Sequence, residues 1–141
     1  LRLGLFVGDA PIIARMSALR DPWSVNGLAA EAAEMLARED AYLTCTRMWL
    51  AEERPRMARL LGDIPGIRVC DGVAPYLLAE LPEGASATDL RDALATRGIG
   101  VRDASTFVGL GPRWLRVGVR TAVENAQVIA AIAEHCKASV R

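Results

Sequence analysis

The stretch GIGVRDASTFVGLGPRWLRVGVR, residues 98–120, decides how this chain is read. Residues 114–120 alternate: Leu115, Val117 and Val119 fall on one face of an extended segment, Arg116, Gly118 and Arg120 on the other. Residues 99–103 read as a short strand in which Gly100 and Arg102 share a face. Between the two lies a loop punctuated by Gly109, Gly111 and Pro112. Pairing the strands through that loop brings Arg102 and Arg116 to one side of a sheet. Each arginine has a glycine two residues away on its own face, which leaves room for a ligand against the backbone. A guanidinium fork donates two parallel hydrogen bonds to a carboxylate or phosphate, so two forks suit a ligand with two anionic groups. Pattern alone leaves a second possibility open, a solvated face whose arginines pair with Asp or Glu.

Working outward, Thr121 and Glu124 form a capping box for a closing helix to about Lys137. Ser86 and Asp89 start a helix that runs to Thr96 and is terminated by Gly98, and residues 67–70 and 76–81 read as strands. The second half therefore runs strand, strand, helix, strand, strand, helix. This is an α+β arrangement, a small, largely antiparallel sheet covered by helices on one face. The first half is helical. Residues 1–7 (LRLGLFV) read as a strand, after which Asp9 caps a helix with Pro11 in its first turn. Ser24 is placed to cap a second helix, and a third spans about 40–61, where Pro55 is expected to kink or divide it and Gly62 to stop it. The expected division is 1–62, helical, and 63–141, a small C-terminal domain. Trp49 and Trp114 are expected in the core; Trp23 lines a site or packs as a core or interface aromatic.

Seventeen basic residues balance seventeen acidic ones, so no broad field draws the chain to nucleic acid or an anionic membrane. Cys45, Cys70 and Cys136 form no CxxC pair, which argues against a disulfide framework or a zinc site and for buried free thiols in a cytoplasmic protein. No apolar run reaches transmembrane length and no leader pattern is present. His135 is the one histidine and has no partner spacing for metal or triad chemistry; an exposed helical position is expected. Arg54, Arg56 and Arg59, near Glu52 and Glu53, read as a solvated helical face. Lys137 is the one lysine, against sixteen arginines, and it lies near the end of the chain.

Three stretches carry a family resemblance. Leu1-Arg2-Leu3-Gly4 resembles the end of the motif K-x-x-x-x-x-G-L-R-[LI]-G, Pro22-Trp23-Ser24-Val25-Asn26 a PWSVN motif, and residues 102–120 the pattern RDCSNFxGLGPRYLRVAVR, with Ala104 in place of Cys and Thr106 in place of Asn. Together they resemble the C-terminal portion of fold-type I enzymes dependent on pyridoxal 5'-phosphate (PLP), in the branch of histidinol-phosphate aminotransferase and L-threonine-O-3-phosphate decarboxylase. The resemblance implies a cytoplasmic homodimeric enzyme of cobalamin biosynthesis, or an aminotransferase, acting on a small phosphorylated amino-acid substrate. It also implies that the Schiff-base lysine precedes Leu1. On that basis this chain contains no catalytic residue and completes its site with a missing N-terminal portion, or else is a non-catalytic remnant used for binding or dimerisation. Residue by residue, Arg2 matches an arginine that contacts the cofactor phosphate. Arg116 matches the one that grips the substrate α-carboxylate, and Arg102 a second substrate-binding arginine. Arg120 matches a subgroup arginine with no assigned role.

Overall fold

The computed structural model describes residues 3–139, with the side chain of Ser139 excepted. Residues up to Cys45 and residues from Thr46 onward form two separate compact units.

The first unit holds α1 (Ala10–Leu19), α2 (Gly27–Leu36) and the start of α3 (Asp40–Gly62). Asp9 occupies the N-cap of α1 through its carbonyl, which accepts from the Ile12 and Ile13 amides at 2.9 and 3.0 Å; its side chain makes no cap bond. The cap of α2 is Asn26 rather than Ser24: its side-chain oxygen accepts the Ala29 amide at 2.8 Å. Both residues are good caps, and Asn26 is the one that directly precedes the helix, with an extended backbone. The expected strand at the start of the chain is not formed over residues 3–7, because no segment among the described residues offers it a ladder. Its apolar side chains stand in solvent, with Leu5 and Val7 each 92% exposed. Ala29 is the one residue of this unit classed as buried among those described, so the unit has no core of its own.

The second unit is built on a four-stranded sheet of β1 (Arg68–Val69), β2 (Tyr76–Glu80), β3 (Arg102–Asp103) and β4 (Trp114–Gly118). The strand order is β1-β2-β4-β3 and every neighbouring pair is antiparallel. The alternation read from residues 114–120 holds: Leu115, Val117 and Val119 are buried, and Leu77 and Ala79 of β2 lie beside them. Against that face pack Leu90 and Leu94 of α4 (Ala87–Ala95), Val128 and Ile132 of α5 (Ala122–Ser139), and Met57 and Leu61 of α3. Apolar burial on one sheet face is what holds this layer pair together.

Local signals set the helix ends. The Ser86 hydroxyl accepts the Asp89 amide at 3.2 Å at the start of α4. Gly98, two residues past the C-cap Thr96, takes φ +71°, a conformation that suits glycine. The Thr121 and Glu124 capping box forms in both directions. Pro55 does not divide α3, which runs unbroken from Asp40 to Gly62. Proline removes one helical hydrogen bond, and here it lies on the exposed side of the helix while Met57 and Leu61 are fully buried.

One buried polar cluster ties α3 to α5. The Asn125 amide nitrogen donates to Glu53 Oε1 at 2.7 Å and to the Arg120 carbonyl at 2.6 Å, and its oxygen accepts the Arg120 amide at 2.9 Å. Arg56 completes the cluster with a two-pronged pair to Glu53 at 2.6 and 2.8 Å. Glu53 was expected on a solvated face and is instead buried. The Arg56 hydrogen bond holds its carboxyl below the ordinary value, against burial that pushes upward, and Asn125 adds to the lowering. The tryptophans also depart from expectation. Trp49 is 38% exposed, and Trp114 is half-buried on the open face of the sheet beneath the Arg68 guanidinium, 5.1 Å from its ring centre. His135 is half-buried on α5 rather than exposed.

Candidate anion-binding site

The face of the sheet opposite the core divides into two halves by charge. Toward one edge, Arg68, Glu80 and Trp114 stand side by side across β1, β2 and β4. There the Glu80 carboxylate is held by Arg68 at 2.7 Å and by Arg113 at 2.6 Å, and Arg113 also donates to the Leu81 carbonyl at 2.9 Å. This half is paired, both guanidinium groups sharing one carboxylate.

The other half is not. Arg102 and Arg116 are direct cross-strand partners in the β3–β4 ladder, and Leu78 is the partner of Arg116 on β2. Like charges placed opposite one another weaken a sheet. Among the described residues neither arginine has an ion pair or a side-chain hydrogen bond to protein, whereas Arg56, Arg59, Arg68, Arg91, Arg97, Arg113 and Arg120 all meet carboxylates. The contacts they do make are with rings. Arg116 lies 5.0 Å from the Tyr76 ring centre and 5.9 Å from that of Phe107, and Arg102 lies 5.7 Å from Phe107. Both guanidinium groups line one cleft of about 410 Å³, together with Pro75, Tyr76, Gly100 and Gly118.

Open space stands over both glycines of this face. A Cβ built on Gly100 or Gly118 meets nothing within 4 Å, so the missing side chains leave open space and relieve no clash. Extending the Arg102–Arg116 register by two residues sets Gly100 opposite Gly118, but the ladder stops short of them. A second cleft of about 390 Å³, which includes Arg120, Glu124 and Gln127, shares these two glycines. Arg120 itself is paired with Glu124 at 3.2 Å.

Behind β3, Asp103 anchors the loop that follows. Its Oδ1 accepts the Ser105 amide at 2.8 Å and its Oδ2 accepts the Thr88 hydroxyl at 2.7 Å, with Arg91 at 3.5 Å. Hydrogen bonding from the Ser105 side chain, then the Thr88 hydroxyl and the Ser105 amide, lowers its pKa to about 2 despite its burial. A carboxyl whose folded pKa is depressed stabilises the fold above its unfolded value and loses that contribution as pH falls toward the folded one. Asp103 therefore contributes on the order of 2 kcal/mol at neutral pH, lost between about pH 4 and pH 2. Urea unfolding of Asp103→Asn is expected to start from a lower stability at pH 7 and to fall less across that interval than the parent chain.

The three elements of the site were legible to different degrees. Arg102 and Arg116 stand together as the strand alternation required. Arg2 lies outside the described residues. Tyr76 and Phe107 are not singled out from the sequence; the aromatic at the start of β2 and the one in the loop carry no local signal that both meet Arg116, or that Phe107 also meets Arg102.

These features define a class: an α+β domain whose open sheet face presents two cations, unpaired with acid among the described residues, in a cleft. Residues 1–132 match the family Aminotransferase class I and II, and the chain belongs to that PLP-dependent family. The threonine-phosphate decarboxylase of Salmonella typhimurium is 38% identical over 133 residues, which cover 94% of this chain and 36% of that protein. A histidinol-phosphate aminotransferase of Mycobacterium tuberculosis is 37% identical over 139 residues, covering 97% and 36%. The crystal structure of L-threonine-O-3-phosphate decarboxylase from Porphyromonas gingivalis superposes with a TM-score of 0.78 at 26% identity, over 93% of this chain and 40% of that one. The chain thus spans about 36% of the length of the curated relatives it matches.

Among the described residues no lysine is placed to form a Schiff base with PLP at this cleft. Lys137, the one lysine of the sequence, lies exposed in the last turn of α5, and the cleft is lined by no lysine. What the cleft offers is the hydrogen-bond donors of Arg102 and Arg116. No helix among the described residues is long and apolar enough to cross a membrane, and among them no cluster of His, Cys, Asp or Glu is arranged to hold a metal ion.

Proposed function

We propose that this chain is the substrate-gripping C-terminal part of a PLP-dependent decarboxylase for a phosphorylated amino acid of the O-phospho-L-threonine type, as used in cobalamin biosynthesis. In this reading Arg116 holds the α-carboxylate and Arg102 the second anionic group. One observation carries it: two arginines paired across neighbouring strands, without an acid partner among the described residues, over an open cleft. A structural arginine pair would be expected to recruit a carboxylate, as Arg68 and Arg113 do with Glu80. PLP, when bound, supplies the electron sink for bond breaking at the substrate α-carbon. The residues of this chain hold the substrate still, and Arg2 would contact the cofactor phosphate. The division at residues 62 and 63, a cytoplasmic setting and a homodimer belong to the same reading. Leu5, Val7, Leu19 and Trp23, all nearly fully exposed, suit burial against the rest of a longer polypeptide or a second copy.

A histidinol-phosphate-type aminotransferase is the second reading, favoured by the near-equal identity to the mycobacterial relative. Calorimetric titration of the chain at low salt separates the two. O-phospho-L-threonine should bind more tightly than L-threonine, inorganic phosphate or histidinol phosphate; histidinol phosphate binding best would reverse the order of the readings. Loss of a charge-assisted hydrogen-bond pair should make Arg116→Ala or Arg102→Ala about tenfold weaker for O-phospho-L-threonine. Unchanged affinity in both variants would overturn the assignment of the cleft.

A further inference from the structure

We propose that Phe107 is a positioning residue, a neutral ring shared by Arg102 and Arg116 that holds both guanidinium groups over the cleft while leaving their hydrogen-bond forks unused. The inference rests on the reading of the cleft as the anion site and goes a step further, to how two cations are kept in place there without a counter-ion.

Two arginines in direct cross-strand register repel each other and carry long, flexible side chains. Left alone they would swing apart into water. The usual remedy is a carboxylate, which the same sheet uses at Glu80. At the cleft a carboxylate would cancel the charge and occupy the donors that an anionic ligand needs. An aromatic face avoids both effects: it attracts a cation through its quadrupole, yet accepts no conventional hydrogen bond and adds no net charge. Phe107 does this for both arginines, at 5.7 and 5.9 Å. Tyr76 adds a second ring for Arg116 alone, at 5.0 Å.

The ring is itself held. The Phe107 amide donates to the Ala104 carbonyl at 3.0 Å, and the Phe107 carbonyl accepts the Leu110 amide at 3.0 Å. Gly109, at φ +87°, closes the turn, and Asp103 fixes its beginning through the Ser105 amide. A buried acid behind the sheet thus sets the loop, the loop sets the ring, and the ring sets the two cations. Phe107 is 36% exposed and contributes little to the core, so its replacement leaves the fold standing.

The test compares Phe107→Leu, which keeps an apolar side chain but removes the π face, with Phe107→Tyr, which restores that face. The readouts are the affinity for O-phospho-L-threonine, ¹⁵N relaxation of the arginine Nε groups, and thermal melting. Loss of a partly exposed cation–π contact should weaken binding about threefold to fivefold in Phe107→Leu and return it to within about twofold of the parent in Phe107→Tyr. Arg102 and Arg116 Nε should become more mobile in the leucine variant alone, with the melting midpoint nearly unmoved. If Phe107→Leu binds as the parent does while Arg116→Ala is weakened, the positioning role is wrong and the cleft assignment stands. Should tyrosine fail to rescue a weakened leucine variant, the ring acts by packing and the inference also falls. If neither Arg116→Ala nor Phe107→Leu changes affinity, the anion-site reading fails first and takes this one with it.

Discussion

Replacing Asn125 with alanine will lower the unfolding free energy by about 3 kcal/mol, because it strips partners from a buried carboxylate and from two backbone groups at once. Asn125 is fully buried and uses both ends of its amide: two donations, to Glu53 and to the Arg120 carbonyl, and one acceptance, from the Arg120 amide. Alanine fills none of these roles. Glu53 would keep Arg56, but its Oε1 loses a buried donor, and the Arg120 backbone at the junction of β4 and α5 is left without its side-chain partner. Urea unfolding followed by circular dichroism measures the loss directly. Asn125→Asp offers a control with a distinct signature. It sets a second carboxylate against Glu53 and removes both donors, so it should be at least as damaging at neutral pH. Its penalty should shrink steeply as the medium is acidified and one of the two acids takes up a proton, whereas the alanine penalty should shrink only by the part that Asn125 plays in lowering the Glu53 pKa.

Gly118→Val should abolish measurable binding of O-phospho-L-threonine while leaving stability unchanged or raised by about 0.5 kcal/mol. The two halves of this expectation come from one geometric fact. Gly118 sits at the end of β4, directly opposite Tyr76, with open space where a Cβ would stand and with no left-handed backbone to forbid a side chain. A valine there gains strand propensity and a favourable cross-strand aromatic neighbour, so the fold has nothing to lose. The space it fills belongs to the Arg102–Arg116 cleft and also to the neighbouring cleft that shares Gly118. Paired measurements of melting temperature and ligand titration decide it. A variant that is destabilised, or one that binds as the parent does, would show that the glycine serves the backbone and not the cavity.

What the amino-acid order revealed was governed by short-range rules. Alternation at residues 114–120 placed Leu115, Val117 and Val119 against the helices and Arg116 on the open face, because a pleated strand leaves no other arrangement. Capping at Ser86 and Thr121 was readable for the same reason, since the bonds span only three residues. Where distant segments decide, the pattern fell silent or misled. Glu53 looked solvated beside its arginine neighbours, and only the arrival of Asn125, 72 residues away, makes it a buried group. Residues 3–7 had the composition of a strand but no neighbour among the described residues to pair with, and a strand is a property of two segments. Asn26 rather than Ser24 caps α2 because the helix begins at Gly27, a boundary that composition does not encode. At the cleft, the two arginines followed from period and loop, while the rings beside them depended on the path of the loop through Phe107 and on the register of β2 against β4.

The rung formed by Arg102 and Arg116 has a consequence for how this domain can vary. It is the position where the sheet gives up cohesion, and it faces the cleft. Exchanging either arginine for threonine would tighten the ladder and empty the cleft of half its charge. Selection for robustness and selection for ligand capture therefore pull on the same two side chains in opposite directions, and a lineage freed from the second demand should lose this rung first.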